Sequence, residues 1–169
     1  MTAGRGMARA AAKPSLKARA IALLSRREHS RNELRRKLAP HCEDPAELEA
    51  VLDELERGNW LSQERFAESL VHRHAPRHGL RRIMQELRRH ELPGDKVAEL
   101  ADGLRATELE RARAVWEKRF GLAPTDAREY ARQFRYMAAR GFSADSLRRI
   151  LAGQGAELPD GLPDSEVDD

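Results

Sequence analysis

The sequence has little of several features that would define a fold or a chemistry. Its single cysteine, Cys42, excludes a disulfide within the chain and a zinc site built from several cysteines. Aromatic residues make up only 5% of the chain, whereas a β-sandwich needs more aromatic and β-branched residues. No apolar run approaches the roughly 18 to 20 residues of a membrane span, and the N-terminus lacks the apolar segment of a secretory signal. These absences indicate a protein of the reducing cytoplasm.

Sequence motifs of nucleotide binding and of metal-dependent hydrolysis are also missing. The chain contains no G-x-x-x-x-G-K-[S/T], no G-x-G-x-x-G and no H-E-x-x-H. His72, His74 and His78 are close enough to suggest a metal site, but Pro76 separates the last two and no carboxylate or cysteine completes the set. We therefore expect no catalytic residue, no cofactor and no metal, and interpret the chain as a non-enzymatic protein.

Charged residues, by contrast, are abundant at 35% of the chain, and arginine supplies most of the positive charge. The net charge of +3 hides an asymmetry, because residues 154–169 contain six acidic residues and no Lys or Arg. Without that segment, 31 basic residues face 22 acidic ones, a formal charge of +9. A body of that charge attracts polyanions or acidic protein surfaces.

Apolar residues recur at helical spacing along the whole chain. Two stripes show the pattern best: Leu48, Val51, Leu52 and Leu55, then Leu80, Ile83, Met84 and Leu87. Ser30 before Glu33 and Thr107 before Glu110 have the spacing of capping boxes, which start helices. We predict nine mostly short helices, each with one apolar and one charged face.

The helices also show a repeat of about 50 residues. "ELRR" occurs at 33–36 and again at 86–89, and a shift of 50 aligns the apolar positions of the second and third parts of the chain. We predict an all-α fold of three tandem three-helix repeats, stacked into an elongated curved array. The expected boundaries are 1–15 for a disordered basic arm, 16–61, 62–104 and 105–153 for the repeats, and 154–169 for a disordered acidic tail.

Residues 25–38, 55–74 and 79–92 form three blocks that together resemble the RecX family of bacterial regulatory proteins. "SRREHSRNELRRKL" (25–38) matches the family pattern R-x-H-S-x-x-E-L-x-x-K-L, and "GLRRIMQELRRHEL" (79–92) matches G-x-x-R-I-x-x-E-L. Between them, "LERGNWLSQERFAESLVHRH" (55–74) is similar to the junction G-x-aromatic-(I/L)-D-D-x-R-F, with Ser62 and Gln63 in place of its acidic pair. A glycine usual late in the second repeat is Glu91 here. The resemblance covers roughly residues 16 to 152.

The resemblance implies a regulator that binds the recombinase RecA and the filament of RecA on single-stranded DNA, and we expect the protein to be a monomer. Such a protein inhibits or modulates RecA in homologous recombination and DNA repair, including the SOS response. We also expect weak, nonspecific DNA binding and no membrane association.

Arginine faces are the candidate contact sites, because the guanidinium fork pairs with carboxylate or phosphate. The candidates for contact with RecA or DNA are Arg31, Arg35, Arg36, Arg73, Arg77, Arg81, Arg82, Arg88 and Arg89. Few exposed aromatic residues are available for base stacking, which argues against sequence-specific recognition of single strands.

Two other functions fit the same residues. Short helices with arginine-rich starts are compatible with a stand-alone DNA-binding protein of the helix-turn-helix type, which would bind duplex DNA sequence-selectively. Alternatively, the repeats form a plain scaffold whose charged faces are only solvated.

Overall fold

The computed structural model describes residues 14–153, which form nine α-helices and a short 3-10 helix without any strand in that range. The predicted all-α class and the predicted number of helices are confirmed. The expected acidic tail, and all of the expected N-terminal arm except Pro14 and Ser15, lie outside the described residues. Within 14–153, no helix is both long and apolar enough to cross a membrane.

The chain divides into two compact units at Ser62, and we refer to the described residues 14–62 as the N-terminal unit and 63–153 as the C-terminal unit. The N-terminal unit contains α1 (Leu16–Leu24), α2 (Arg31–Leu38), the 3-10 helix (Ala39–His41) and α3 (Pro45–Arg57). Its core is aliphatic, and four leucines in it are fully buried: Leu34, Leu38, Leu52 and Leu55. The predicted apolar stripe of α3 therefore faces that of α2.

Helix α2 begins as the capping box predicts. The side-chain oxygen of Ser30 accepts a hydrogen bond from the amide of Glu33 at 3.1 Å. The carboxylate of Glu33 in turn pairs with Arg27. This arrangement satisfies a free amide of the first turn and directs the arginines of α2 away from Leu34 and Leu38.

The C-terminal unit contains six helices. These are α4 (Gln63–His74), α5 (Leu80–Arg88), α6 (Gly94–Ala106), α7 (Glu108–Arg119), α8 (Ala127–Ala138) and α9 (Ala144–Ala152). Helices α4–α6 enclose one apolar cluster around Phe66, Ile83 and Leu87. Helices α7–α9 enclose a second cluster around Trp116 and Tyr130. Each cluster is the core of one three-helix group.

The predicted capping box at Thr107 is wrong. Thr107 has no side-chain capping bond to α7, and its hydroxyl donates instead to the carbonyl oxygen of Gly103 at 3.1 Å. The reason is local geometry: α6 ends at Ala106 and α7 begins at Glu108, so Thr107 keeps a turn-like backbone with φ −106° and ψ 1°. An N-cap threonine needs an extended backbone to direct its oxygen forward.

Two charged residues of α7 connect the two three-helix groups of the C-terminal unit. Glu108 is only 7% exposed, and its carboxylate accepts hydrogen bonds from the amide of Leu80 at 3.1 Å and the hydroxyl of Ser146 at 3.4 Å. Gly79 precedes Leu80 at the start of α5 and has no side chain to cap the helix. The acceptor for α5 therefore comes from another helix.

Arg111 of α7 connects the two three-helix groups by donating hydrogen bonds to backbone carbonyl oxygens near the ends of α4 and α6. Its guanidinium donates to the carbonyl oxygens of Ala75 (3.1 Å), His78 (2.6 Å) and Leu104 (2.8 Å). These oxygens lie just beyond α4 and in the last turn of α6, where backbone acceptors lack partners within a helix. Burial lowers the pKa of Arg111, with Glu108 opposing that shift. Glu108 and Arg111 together fix the position at which α5 begins.

Candidate functional site

Three of the candidate arginines lie on α2, and acidic residues of α3 neutralise two of them. The Arg31 side chain is 19% exposed and contacts three carboxylates, those of Glu49 (2.7 Å), Asp53 (2.6 Å) and Glu56 (2.6 Å). Arg35 also pairs with Glu49, at 2.5 Å. Their charge is therefore used within the N-terminal unit.

The ion pairs between α2 and α3 lower the pKa of Glu49. Hydrogen bonds from Arg35 and Arg31 lower the pKa of this carboxyl to about 2. Arg36, the third candidate on α2, is exposed and has no ionic partner among the described residues. Of the first-repeat arginines proposed as contacts, Arg36 alone keeps an exposed, uncompensated charge in the described part of the chain.

The candidates of the C-terminal unit lie along α5 and just before it. Arg81 donates to the carbonyl oxygen of Ala138 at 2.9 Å, and Arg89 pairs with Glu86 at 3.0 Å. Arg82 and Arg88 are exposed, with no ionic partner in the described range. Because Ile83 and Leu87 bury the opposite side of α5, these arginines face solvent.

The remaining two candidates lie at the end of α4 and in the following turn. Arg73 donates through Nε to the carbonyl oxygen of Ser69 at 3.2 Å, so its charge is not paired with an acid there. Arg77 is exposed in the turn, without an ionic partner in residues 14–153. Six of the nine candidates thus lie on α4, on α5 or directly beside these helices, and we call Arg73, Arg77, Arg81, Arg82, Arg88 and Arg89 the α5 basic face.

An arginine that the sequence analysis missed adjoins this face. The amide of Gly79 donates to the carbonyl oxygen of Arg140 at 3.0 Å, which places the end of α8 beside the start of α5. Burial lowers the pKa of His78, and the neighbouring charges of Arg82 and Arg140 contribute to that shift. The positive charge near His78 therefore comes from two different three-helix groups, a proximity that spacing along the sequence does not reveal.

Acidic residues of the C-terminal unit concentrate elsewhere. Lys96 on α6 lies 3.1 Å from Glu64, 3.1 Å from Glu68 and 3.3 Å from Glu99. Hydrogen bonds that Lys96 donates to these carboxylates, first that to Glu64, raise the pKa of Lys96. Three acids thus gather around one lysine on α4 and α6, which leaves the α5 basic face with only Glu86 as an ionic partner in the described range.

A second arginine group, also missed in the sequence analysis, surrounds two aromatic rings at the end of α7 and on α8. Arg119, Arg132 and Arg140 lie over the rings of Phe120 and Tyr136. The spacing of Arg132, Tyr136 and Arg140 by four residues was the available signal, since side chains four apart share a helix face.

Side chains with metal-ligating chemistry do not cluster in the described range. The rings of His74 and His78 lie 5.5 Å apart between centroids. Within residues 14–153, however, no group of three or more His, Cys, Asp or Glu side chains is placed to hold a metal ion.

Three family models match consecutive parts of the chain. They are described as the first, second and third three-helix domains of RecX, and they match residues 17–55, 62–100 and 106–151. Each match covers all or part of three of the α-helices described above.

Curated relatives extend the similarity over most of the chain. The regulatory protein RecX of Ralstonia nicotianae is 59% identical over 147 residues, which cover 87% of this chain and 92% of the relative. The regulatory protein RecX of Neisseria meningitidis serogroup B is 40% identical over 137 residues, 81% of this chain and 89% of the relative.

Solved structures have the same fold at much lower sequence identity. The crystal structure of RecX from Lactobacillus salivarius superposes with a TM-score of 0.66 at 20% identity, covering 83% of this chain and 94% of that one. A second crystal structure, of a regulatory protein RecX, also gives 0.66, at 18% identity over 82% of this chain and 73% of that one. The arrangement of helices is therefore that of known RecX structures.

Proposed function

The chain belongs to the RecX family of regulatory proteins, and from that premise we propose that it is a non-enzymatic modulator of the recombinase RecA. In this proposal it binds RecA and the RecA filament on single-stranded DNA in the cytoplasm, and inhibits strand exchange or filament growth. The partner follows from the family resemblance, and the α5 basic face supplies a surface of suitable charge.

One observation carries the assignment of the contact surface. Arg82 and Arg88 project from one short helix into solvent, and neither has an ionic partner among the described residues. An arginine already paired with carboxylates must give up those contacts to bind another anion, whereas an unpaired arginine gives up only water. The α5 basic face is therefore a better docking surface than α2, where Arg31 and Arg35 are paired.

A nucleoprotein filament presents two kinds of anion, protein carboxylates and DNA phosphates. The guanidinium group binds both through two parallel hydrogen bonds, and contact with phosphates releases counterions from the DNA. We expect binding to the filament to weaken steeply with added salt. Free DNA should bind more weakly and without sequence preference.

The direct test measures ATP hydrolysis and strand exchange by RecA with the full chain added at increasing ratios. We expect both activities to fall as the protein approaches the concentration of RecA. If neither activity changes at equal amounts, the proposal is wrong.

A matched pair of variants tests the surface itself. The double variant Arg82→Gln/Arg88→Gln should bind the filament roughly tenfold more weakly. The slope of its log binding constant against log salt concentration should be smaller in magnitude by about two. Arg105→Gln is the control, because Arg105 is an exposed arginine of α6 already paired with Asp102 at 2.6 Å. Because the control removes one charge and the double variant two, a loss of binding free energy in Arg105→Gln of half that in the double variant or more would show that total charge, and not the α5 basic face, determines binding.

A gel-shift titration at two salt concentrations distinguishes the helix-turn-helix alternative. That function requires a duplex sequence whose binding persists at the higher salt concentration, since base contacts do not depend on counterion release. DNA binding that has no sequence preference and disappears at the higher salt concentration is the result expected for a RecA modulator.

A further inference from the structure

The third three-helix group has an aromatic pair covered by arginines. Phe120 and Tyr136 meet edge to face, with ring centroids 5.1 Å apart and an interplanar angle of 80°. Both rings are half-buried and pack on the core of α7–α9, so their inner sides are fixed in position. Their orientation is therefore set by the core, while part of each ring faces solvent.

Three guanidinium groups lie over these rings. The Arg140 guanidinium carbon is 3.6 Å from the Tyr136 centroid, and that of Arg119 is 5.4 Å from Tyr136 and 5.8 Å from Phe120. The guanidinium carbon of Arg132 lies 5.8 Å from the Phe120 centroid. Arginine stacks on aromatic faces in this way, and its free face can stack on another planar group.

The charge of the group is only partly neutralised. Arg132 pairs with Glu129 at 2.9 Å, and Glu129 also accepts a hydrogen bond from the Thr125 hydroxyl at 3.1 Å. Neither Arg119 nor Arg140 has a carboxylate partner among residues 14–153. The aromatic pair therefore lies in a positively charged environment.

A cavity of about 270 Å³ opens beside Phe120. Its lining is Arg119, Phe120, Leu122, Glu129, Arg132 and Gln133. Leu122 is 78% exposed, so its aliphatic side chain is accessible from solvent. The buried amide of Gln133 is occupied on both sides, accepting from Trp116 Nε1 at 2.7 Å and donating to the carbonyl oxygen of Leu122 at 3.2 Å. The cavity thus offers a ring and an aliphatic surface, and its charged lining consists of two arginines and the carboxylate of Glu129.

A flat apolar group attached to phosphates is the ligand that this combination suits. Other proteins bind single-stranded nucleic acid by stacking aromatic rings and guanidinium groups on the bases, while basic side chains contact the phosphates of the nucleic-acid backbone. We propose that the cluster of Phe120, Leu122, Tyr136, Arg119, Arg132 and Arg140 is a base-contacting site for single-stranded nucleic acid. One base lies against Phe120 and Leu122, another stacks on the Arg140 guanidinium, and Arg119 and Arg132 contact the adjoining phosphates.

This site goes beyond the modulation of RecA and does not depend on it. It also revises the expectation that few exposed aromatic residues are available for base stacking. A purely structural cluster, in which arginines only cover the rings, predicts that affinity follows phosphate charge and is independent of bases.

The experiment compares two labelled strands by fluorescence anisotropy with the full chain. One is oligothymidylate of about 20 nucleotides and the other an abasic strand of equal length, so that charge is constant and only the bases differ. We expect oligothymidylate to bind roughly tenfold more tightly, the ratio that stacking of about one base supplies. Equal affinities for the two strands would overturn the proposal.

Four variants locate the base contact. Phe120→Leu keeps an apolar side chain in place and should bring the two affinities within about twofold, with abasic binding unchanged. Arg119→Gln should weaken the binding of oligothymidylate and of the abasic strand by a similar factor. Phe134→Leu is the aromatic control, since Phe134 is another half-buried ring of the same three-helix group but stacks with Tyr130 at 6.2 Å, and it should keep the full ratio.

The fourth variant keeps the test decisive if Phe120→Leu does not fold. Leu122→Ser changes an exposed side chain and should lower the ratio severalfold without loss of thermal stability. A ratio that survives in Leu122→Ser and in any folded Phe120→Leu protein would rule out this site. Loss of base preference with intact RecA inhibition contradicts only this inference, whereas base preference without any effect on RecA contradicts only the proposed function.

Discussion

Gly79 and Gly141 approach each other backbone to backbone in the C-terminal unit. A Cβ atom built on Gly79 would lie 2.2 Å from the carbonyl oxygen of Gly141. Hydrogen bonds run along this contact, from the Gly79 amide to the Arg140 carbonyl at 3.0 Å and from the Arg81 amide to the Gly141 carbonyl at 3.2 Å. Gly141 also has a φ of +85°, a conformation that favours glycine. The contact therefore fixes the start of α5, and with it the α5 basic face, against the end of α8.

A side chain at position 79 should break this contact. In Gly79→Ala the new methyl group overlaps backbone atoms, which cannot rotate away as a side chain would, so α5 must move from α8. We expect the free energy of unfolding to fall by about 3 kcal/mol, as for other overpacked sites, measured by urea denaturation.

Gly103→Ala is the matched control for that prediction. Gly103 lies inside α6, and a Cβ built there meets no atom within 4 Å. Because alanine is favoured over glycine in a helix interior, this variant should gain about 0.5–1 kcal/mol. If Gly79→Ala is as stable as the control, the close approach of the two glycines is not important for stability.

Much of the core was predictable from apolar spacing alone. The stripe positions Leu52, Leu55, Ile83 and Leu87 are all fully buried, because an amphipathic helix has one face to bury and its period identifies that face. The capping box at Ser30 was predictable for a related reason, since its partners lie within one helical turn.

Interactions between distant parts of the chain were not predictable in this way. Leu80 and its acceptor Glu108 are 28 positions apart, and Arg111 is 33 positions from His78, so no local pattern connects them. In the sequence, Arg31 and Arg35 look like part of a binding face. Only the structure shows that they form ion pairs with acidic residues of α3 in the same unit. Periodicity identifies the buried face of a helix, whereas the partner of a charged residue depends on tertiary packing.

Replacing Arg111 tests how strongly the two three-helix groups of the C-terminal unit are joined. Arg111→Met keeps much of the aliphatic volume but leaves the carbonyl oxygens of Ala75, His78 and Leu104 without their donor. We expect a loss of about 3 kcal/mol, because unsatisfied buried acceptors cost more than the hydrogen bond itself contributes. Thermal and urea unfolding should both show it.

Arg113→Met controls for the loss of a positive charge from α7. Arg113 is exposed on the same helix, so its replacement should change stability by no more than about 0.5 kcal/mol. A loss of equal size in the two variants would indicate that Arg111 acts through net charge rather than through its hydrogen bonds.

Glu91 occupies a backbone conformation that disfavours it. Its φ is +52°, at the position where the related family pattern has glycine. A left-handed conformation costs a residue with a Cβ about 1–2 kcal/mol, so replacing Glu91 with glycine removes that cost. The greater freedom of glycine in the unfolded chain offsets part of this gain in stability. We expect Glu91→Gly to raise the free energy of unfolding by about 0.5–1 kcal/mol.

The same substitution elsewhere should have the opposite sign. Glu110 lies inside α7, where glycine is disfavoured, so Glu110→Gly should lower stability by about 1 kcal/mol. If both variants were destabilised to a similar extent, the left-handed conformation at position 91 would carry no measurable cost.

The ion pairs between α2 and α3 should make the stability of the N-terminal unit depend on pH in acid. The Glu49 pKa falls from an ordinary value of 4.5 to about 2 in the folded chain. The carboxylate therefore contributes stability that is fully present above about pH 4.5 and is lost as the pH falls toward about 2. Because this side chain is 41% exposed, solvent screening limits the contribution to about 1 kcal/mol.

Glu49→Gln removes this dependence without removing the side chain. Near pH 7 the variant should be less stable than the parent by about 1 kcal/mol, and the difference should shrink toward zero near pH 2, where Glu49 of the parent becomes protonated. Glu47→Gln is the control, since Glu47 lies on α3 but forms no ion pair in the described range, and it should differ little from the parent at any pH. A deficit of Glu49→Gln that stays constant from neutral to acid pH would mean that Arg31 and Arg35 do not hold this carboxylate ionised.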